Sequence, residues 1–215
     1  MSSSSGPRPP KKSTEDLLRE GKLSGGAAHV AMDIRELLGF RNPIPRILQA
    51  AAFAADKHRL QTRKDKDATP YINHPLALAC LLAYECAEQD QTLLIAALLH
   101  DTIEDTQTTF EEIASRFGKD VAEIVQEVTD DKSLAKEERK RLQIVHASTA
   151  SYTAKLVKFA DKICNLREIL GSPPAGWALE GKRKYFDWAK EVVDQMRGTH
   201  GRLEQLFDAE YAKRP

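Results

Sequence analysis

The chain has 215 residues, 41% hydrophobic and 30% charged, which is enough to bury one core; it has no 18-residue apolar run that could span a membrane and no apolar segment in Met1–Lys12 for a secretory signal. Lysine plus arginine and aspartate plus glutamate both number 32, so net charge does not favour nucleic acid or a membrane surface, and any anion site must be a local cluster. Cys80, Cys86 and Cys164 form no Cys-x-x-Cys pair and leave an odd number, which argues against a disulfide framework or a cysteine zinc site; they read as core thiols of a cytoplasmic protein.

Residues 1–12, rich in serine and proline, cannot bury enough apolar surface to offset their ordering entropy and read as a disordered tail. A helical extension is expected over 13–43, with helices at Ser13–Gly21 and Val30–Leu38 separated by Gly25-Gly26. Asn42-Pro43-Ile44-Pro45 breaks the chain, and the main domain is expected over 44–215. It begins with a helix whose stripe is Ile47, Leu48, Ala51, Ala52 and Ala55, running to about Leu60.

Thr62 to Asn73 is a basic, turn-rich loop carrying Arg63, Lys64, Lys66 and Tyr71. It delivers His74 just before Pro75, a residue favoured in a helix's first turn, so His74 stands where loop and helix meet. On its own it could be a ligand or a solvated cap. The stretch Leu93 to Asp105 is an apolar run ending in His100, Asp101, Glu104 and Asp105. As one continuous helix it would be buried all round, and at about 100° per residue the four ionisable groups would project over one side. Burying an acid and an imidazole is costly unless hydrogen bonds, charge pairing or a metal compensates them. Histidine with carboxylate suits a borderline or hard divalent cation.

Thr108 with Glu111 offers a capping box for a helix to Gly118. A further helix follows, then a highly charged one from Leu134 to about Ala147, whose Lys136, Arg139, Lys140 and Arg141 either face solvent or border an anion site. In Thr153–Leu170, Asp161 and Asn165 share a face among apolar neighbours, with Lys158 and Lys162 as available partners for the acid. Segments at Gly181–Arg197, carrying Tyr185, Phe186 and Trp188, and at His200–Tyr211 close the chain. No stretch alternates with period two, so the class is all-α.

Arg63-Lys64, Thr69-Pro70-Tyr71-Ile72-Asn73-His74-Pro75, Ala96 through Asp105, and Lys155 through Asp161 and Asn165, in that order, resemble the hydrolase domain of the RelA/SpoT family. The match is to its stand-alone small alarmone hydrolases, which include the animal SpoT homologue. That resemblance implies an HD-domain phosphohydrolase helical bundle. Its reaction is manganese-dependent hydrolysis of the 3′-pyrophosphate of ppGpp or pppGpp to GDP or GTP and pyrophosphate. It makes His74, His100, Asp101 and Asp161 the ligands of one Mn²⁺, a site that Zn²⁺ or Fe²⁺ would also suit. Glu104 and Asp105 become the pair that activates water, while Arg63, Lys64 and Lys136 hold phosphates. Asn165, Tyr71 and Tyr185 contact or border the nucleotide. The partner is then a small nucleotide, with neither nucleic acid nor membrane, and the oligomeric state stays open. The chain is also too short for the synthetase and regulatory domains of the long members. One departure is that the animal relatives carry glycine where Ala68 stands, which bears on the bend of the loop and on the Arg63 and Lys64 contacts. An HD phosphohydrolase acting on another nucleotide such as NADPH, and a nucleotide-binding module without turnover, stay open as alternatives.

Overall fold

Proline at 43 and 45 fixes the backbone for a helix start, and α1 runs Ile44–Lys57. In this computed structural model, residues 42–86 and 90–215 are described; the expected tail over 1–12 and the expected helices of the 13–43 extension lie outside the described residues. After α1 come α2 (Asn73–Glu85), α3 (Gln91–Leu99), the single turn α4 (Thr102–Asp105), α5 (Phe110–Phe117) and α6 (Lys119–Val128). The chain closes with α7 (Lys136–Ala147), α8 (Tyr152–Gly171), α9 (Leu179–Asp194) and α10 (Gly201–Tyr211). Pro43–Pro215 is one all-helical unit, and its only extended pairings among the described residues are the bridges Thr62–Pro70 and Asp65–Pro174.

Two helices form the centre. Helix α3 packs against α1, α2, α6 and α8, and Leu93, Ile95, Ala96, Ala97, Leu98 and Leu99 are all buried, as a helix apolar on every side requires. Helix α8 packs against α2, α3, α6, α9 and α10, burying Leu156, Val157, Phe159, Ala160, Ile163 and Leu166. The cleft described below opens where the C-terminal end of α3 and the middle of α8 meet.

Several local expectations are corrected. Helix α1 turns a different face to the core: Ala50, Phe53 and Ala54 are buried, whereas Leu48, Ala52 and Ala55 are exposed. Phe53 meets Phe117 edge-on at 5.3 Å between centroids, and seating that large ring sets the helix rotation. The cap of α5 is Thr109, which accepts from the Glu112 N–H at 3.2 Å, one residue beyond the expected Thr108 and Glu111. Thr108 is buried instead, with its hydroxyl 2.8 Å from that of Thr106. Cys80 is exposed; only Cys86 and Cys164 are core thiols.

The run from Leu93 to Asp105 is not one continuous helix. His100 Nδ1 lies 2.8 Å from the Ala97 carbonyl and the Thr102 hydroxyl donates to the Leu99 carbonyl at 2.7 Å, so side chains occupy carbonyls that would accept from the next turn. The helix stops at Leu99, and α4 restarts with Asp101 at its N-cap position.

The loop between α1 and α2 is tied at both ends. Arg63 N–H donates to the Thr69 carbonyl at 2.8 Å, and the Asp65 carboxylate accepts from the Thr69 N–H at 3.0 Å and its hydroxyl at 2.8 Å. At the tip, Ala68 has φ 49°, the only left-handed non-glycine among the described residues. That conformation costs an L-residue about 1 kcal/mol. Ala68→Gly is therefore expected to stabilise the fold by about 0.5–1 kcal/mol, read as a higher urea midpoint with unchanged slope.

Candidate active site

All twelve residues singled out by the sequence line one cleft of about 340 Å³: Arg63, Lys64, Tyr71, His74, His100, Asp101, Glu104, Asp105, Lys136, Asp161, Asn165 and Tyr185. They come from the α1–α2 loop, α2, the α3–α4 junction, α7, α8 and α9. At its floor, side-chain donor atoms of His74, His100 and Asp101 lie within 4.8 Å of one another. Asp161 stands against them, its Oδ1 3.2 Å from His74 Nε2. His74 is 2% exposed, so it is no solvated cap.

Both imidazoles are held by the nitrogen that faces away from this floor. His74 Nδ1 is 2.9 Å from Glu168 Oε1, and His100 Nδ1 is 2.8 Å from the Ala97 carbonyl. Donating from Nδ1 leaves Nε2 as a lone-pair donor, the tautomer of a metal-bound histidine. His100 Nε2 is buried and lacks a hydrogen-bond partner among the described residues, although Asp101 Oδ2 lies 2.9 Å away. Two imidazoles and the Asp101 carboxylate so disposed fit a divalent cation, with the Asp161 carboxylate beside them.

The electrostatics agree. Burial disfavours a charged His74, but hydrogen bonds to Asp161 and Glu168 outweigh it and raise its pKa to about 9. Burial likewise opposes ionisation of Asp101, yet His100 and His74 hold its carboxyl well below the usual range. The Tyr71 hydroxyl donates to Asp101 Oδ2, which orients that carboxylate. Asn165 Nδ2 donates to Asp161 Oδ1 at 2.5 Å, and Lys162 Nζ donates to Oδ2 at 2.9 Å.

Glu104 and Asp105 stand on α4 at the rim of the floor. Burial first, then the neighbouring carboxylates of Asp101, Asp130 and Asp105, push Glu104 up to about 7, against a lowering hydrogen bond from the Asp130 N–H at 3.0 Å. Arg139 lies 3.8 Å from Glu104, and Lys132 pairs with Asp105. The Gln61 amide donates to the Asp105 carbonyl at 2.6 Å, which ties α4 to the basic loop.

Seven lysine and arginine side chains line this cleft. Arg63 pairs with Glu168, donates to Asn165 at 3.1 Å and lies 5.5 Å from the Tyr71 ring centroid. Lys136, Arg139 and Lys140 of α7 border the cleft, whereas Arg141 is exposed and bound to Glu138 at 2.7 Å. Lys140 lies 4.9 Å and Lys162 4.4 Å from the Trp188 ring centroid. A wider adjoining lobe of about 850 Å³ is walled by Thr62, Ile169, Pro174, Trp177 and Tyr185.

Sequence reasoning missed Glu168, Gln61, Asp130 and Gln143. Glu168 had a readable signal: it lies seven residues beyond Asp161, two helical turns along the face that carries Asn165. The others come from separate elements and had none.

The HD-domain family model matches residues 50–184. A MESH1 guanosine-3′,5′-bis(diphosphate) 3′-pyrophosphohydrolase of Xenopus tropicalis is 57% identical over 162 residues, 75% of this chain and 90% of that protein. The human MESH1 protein is 51% identical over 161 residues, with the same coverage. A solved structure described as a metazoan ortholog of SpoT that hydrolyses ppGpp and plays a role in starvation responses is 48% identical. It superposes with a TM-score of 0.76 over 79% of this chain and 95% of its own. The chain belongs to the HD-domain family and, within it, to the group of the MESH1 pyrophosphohydrolases.

With its pKa near 9, His74 carries a proton near neutral pH that a cation must displace. Calorimetric titration of metal-stripped protein with Mn²⁺ at pH 7.5 in buffers of different ionisation enthalpy is expected to show release of about one proton, with affinity rising toward pH 9. Glu168→Gln, which weakens the support of His74, is expected to lower that affinity by about 10- to 100-fold.

Proposed function

We propose that this chain hydrolyses the 3′-pyrophosphate of ppGpp and pppGpp, giving GDP or GTP and pyrophosphate. The observation that carries the reading is that one cleft unites the His74, His100 and Asp101 cluster with two further carboxylates on α4 and a wall of lysine and arginine side chains. The similarity to proteins named for this reaction, along nearly their whole length, supports it.

His74, His100, Asp101 and Asp161 would hold a divalent cation, Mn²⁺ in our reading. When bound, it polarises phosphoryl oxygen and lowers the pKa of a coordinated water. Tyr71 and Asn165 fix the orientations of Asp101 and Asp161 through the hydrogen bonds described above. Glu104, with a pKa near the working pH, is the general base and takes a proton from the attacking water; Asp105 helps to orient that water. The water oxygen bonds to the phosphorus nearest the ribose, the bond from that phosphorus to the 3′-oxygen breaks, and the 3′-oxygen takes up a proton. Arg63, Lys64 and Lys136 hold phosphates, and Tyr185 with Trp177 borders the nucleoside in the wider lobe. The same reading puts the reaction in the cytoplasm, where the nucleotide is dissolved. No helix among the described residues is long and apolar enough to cross a membrane.

Incubation of Mn²⁺-reconstituted protein with ppGpp is expected to give GDP and pyrophosphate by anion exchange, and a metal-free control none. Release of phosphate from NADPH with ppGpp left intact would overturn the substrate assignment. The base form of Glu104 is the active one, so kcat/KM is expected to fall as the pH drops through about 7. Glu104→Gln is expected to lower kcat by about 10²- to 10⁴-fold while Mn²⁺ still binds in the calorimeter.

A further inference from the structure

Of the cations around the cleft, Lys158 is the one whose position its own protein does not explain. It lies on α8 one turn before Asp161, on the face that also carries Lys162 and Asn165, and it lines the cleft while being only 7% exposed. Lys162 is engaged by Asp161 and by Gln143, both at 2.9 Å; Arg63 is paired with Glu168, and Arg139 faces Glu104. Lys64 and Lys136 are exposed, so water serves them. Lys158 alone of these is buried with neither a hydrogen bond nor an ion pair among the described residues. Asp130, Asp161 and Glu127 act on it only at a distance, and Lys162 repels it. Burial is the larger influence and pushes its ammonium down from the ordinary lysine value.

The residue is buried along its stem while its ammonium opens on the cleft, so the donors that no group of the protein engages face the space a ligand would fill. A compact, strongly hydrated point charge with three donors suits a phosphate oxygen. The two lobes indicate which phosphate. Trp177 and Tyr185 stand in both lobes, but the wider one adds Ile169 and Pro174 as apolar walls for a nucleoside, and Lys158 is not part of it. The narrower lobe holds the metal-binding floor together with Lys136, Lys140, Lys158 and Lys162.

We propose that Lys158 binds the 3′-diphosphate of the substrate and of the product, neutralising the charge on its phosphate oxygens while water bonds to the inner phosphorus and the electron pair of the broken bond passes to the 3′-oxygen. This rests on the hydrolase reading above and adds to it the location of the leaving product. Lys158 is then a catalytic residue that touches the substrate, and the nucleoside and its 5′-phosphates lie away from it.

The test compares the full chain with Lys158→Met and Lys158→Arg, with free Mn²⁺ held constant. Three quantities are read: direct binding of inorganic pyrophosphate, direct binding of GDP, and the melting temperature without ligand. Lys158→Met is expected to weaken pyrophosphate binding by about tenfold or more, leave GDP binding within about twofold and not lower the melting temperature, because no hydrogen bond or ion pair within the protein is lost. Lys158→Arg is expected to keep much of the pyrophosphate affinity. A lower melting temperature with unchanged pyrophosphate binding would show a purely structural lysine and overturn the proposal. Equal weakening of GDP and pyrophosphate would overturn it too, by placing Lys158 on the nucleotide. Because binding is measured directly, absence of ppGpp turnover in the unaltered protein would count against the hydrolase reading and leave this comparison legible.

Discussion

The structure depends on burying ionisable groups at the end of an apolar helix. Helix α3 is enclosed on every side, and the chain leaves it through His100 and Asp101 rather than through a loop at the surface. Such groups are tolerable in a core only when each one is paired. The surrounding elements supply the pairing. Ala97 and Tyr71 fix the pair from α3 and from the basic loop, and α8 brings Asp161 against His74. The α3–α4 break belongs to the same solution, since the hydrogen bonds that end the helix also aim His100 Nε2 at the metal-binding floor.

The carboxylates beyond the floor are wired to it across three helices. The Asp130 N–H holds Glu104; the Asp130 carboxylate accepts from the Gln143 amide at 2.6 Å; the Gln143 carbonyl accepts from Lys162; and Lys162 donates to Asp161. A hydrogen-bonded chain thus runs from Glu104 on α4 through α7 to Asp161 on α8. In a low-dielectric interior each bond in such a chain polarises the next, so Glu104 and Asp161 are positioned together. This explains why the highly charged helix α7, which buries only Ala147, sits beside the cleft: its role there is polar, through Gln143 and the basic side chains that face the cleft.

What the sequence made legible were the features that repeat at helical spacing or follow in a fixed order. The apolar face of α3, the pairing of Asp161 with Asn165, and the progression from the basic loop to His74, His100-Asp101 and Asp161 belong to that class. Burial of His74 was illegible, because a lone histidine at a helix start has the same neighbours in sequence whether it faces water or α8. The same holds for the rotation of α1, set by a ring from α5, and for Thr109 taking the cap while Thr108 turns inward. Lys158 and Lys162 show the limit most sharply. They are four apart on one helix and equally good neighbours for Asp161 by sequence, yet only Lys162 pairs with it, because Gln143 from α7 anchors that ammonium.

That asymmetry bears on how the fold divides its charge between stability and function. Pairs such as Arg167 with Glu210 at 2.9 Å hold α8 to α10 and involve none of the cleft. Around the cleft, by contrast, three of the seven cations, Arg63, Arg139 and Lys162, are neutralised in place by carboxylates of the protein, which limits repulsion among them in the absence of ligand. A site built only of such satisfied pairs would bind an anion weakly, since every new hydrogen bond to the anion would break one already made. A site built only of unpaired cations would unfold from self-repulsion. The arrangement here lies between the two, with paired groups forming the frame and Lys64, Lys136, Lys140 and Lys158 left without an ion pair among the described residues. An anion entering the cleft then meets unpaired cations without having to break the hydrogen bonds that hold His74, His100, Asp101 and Asp161.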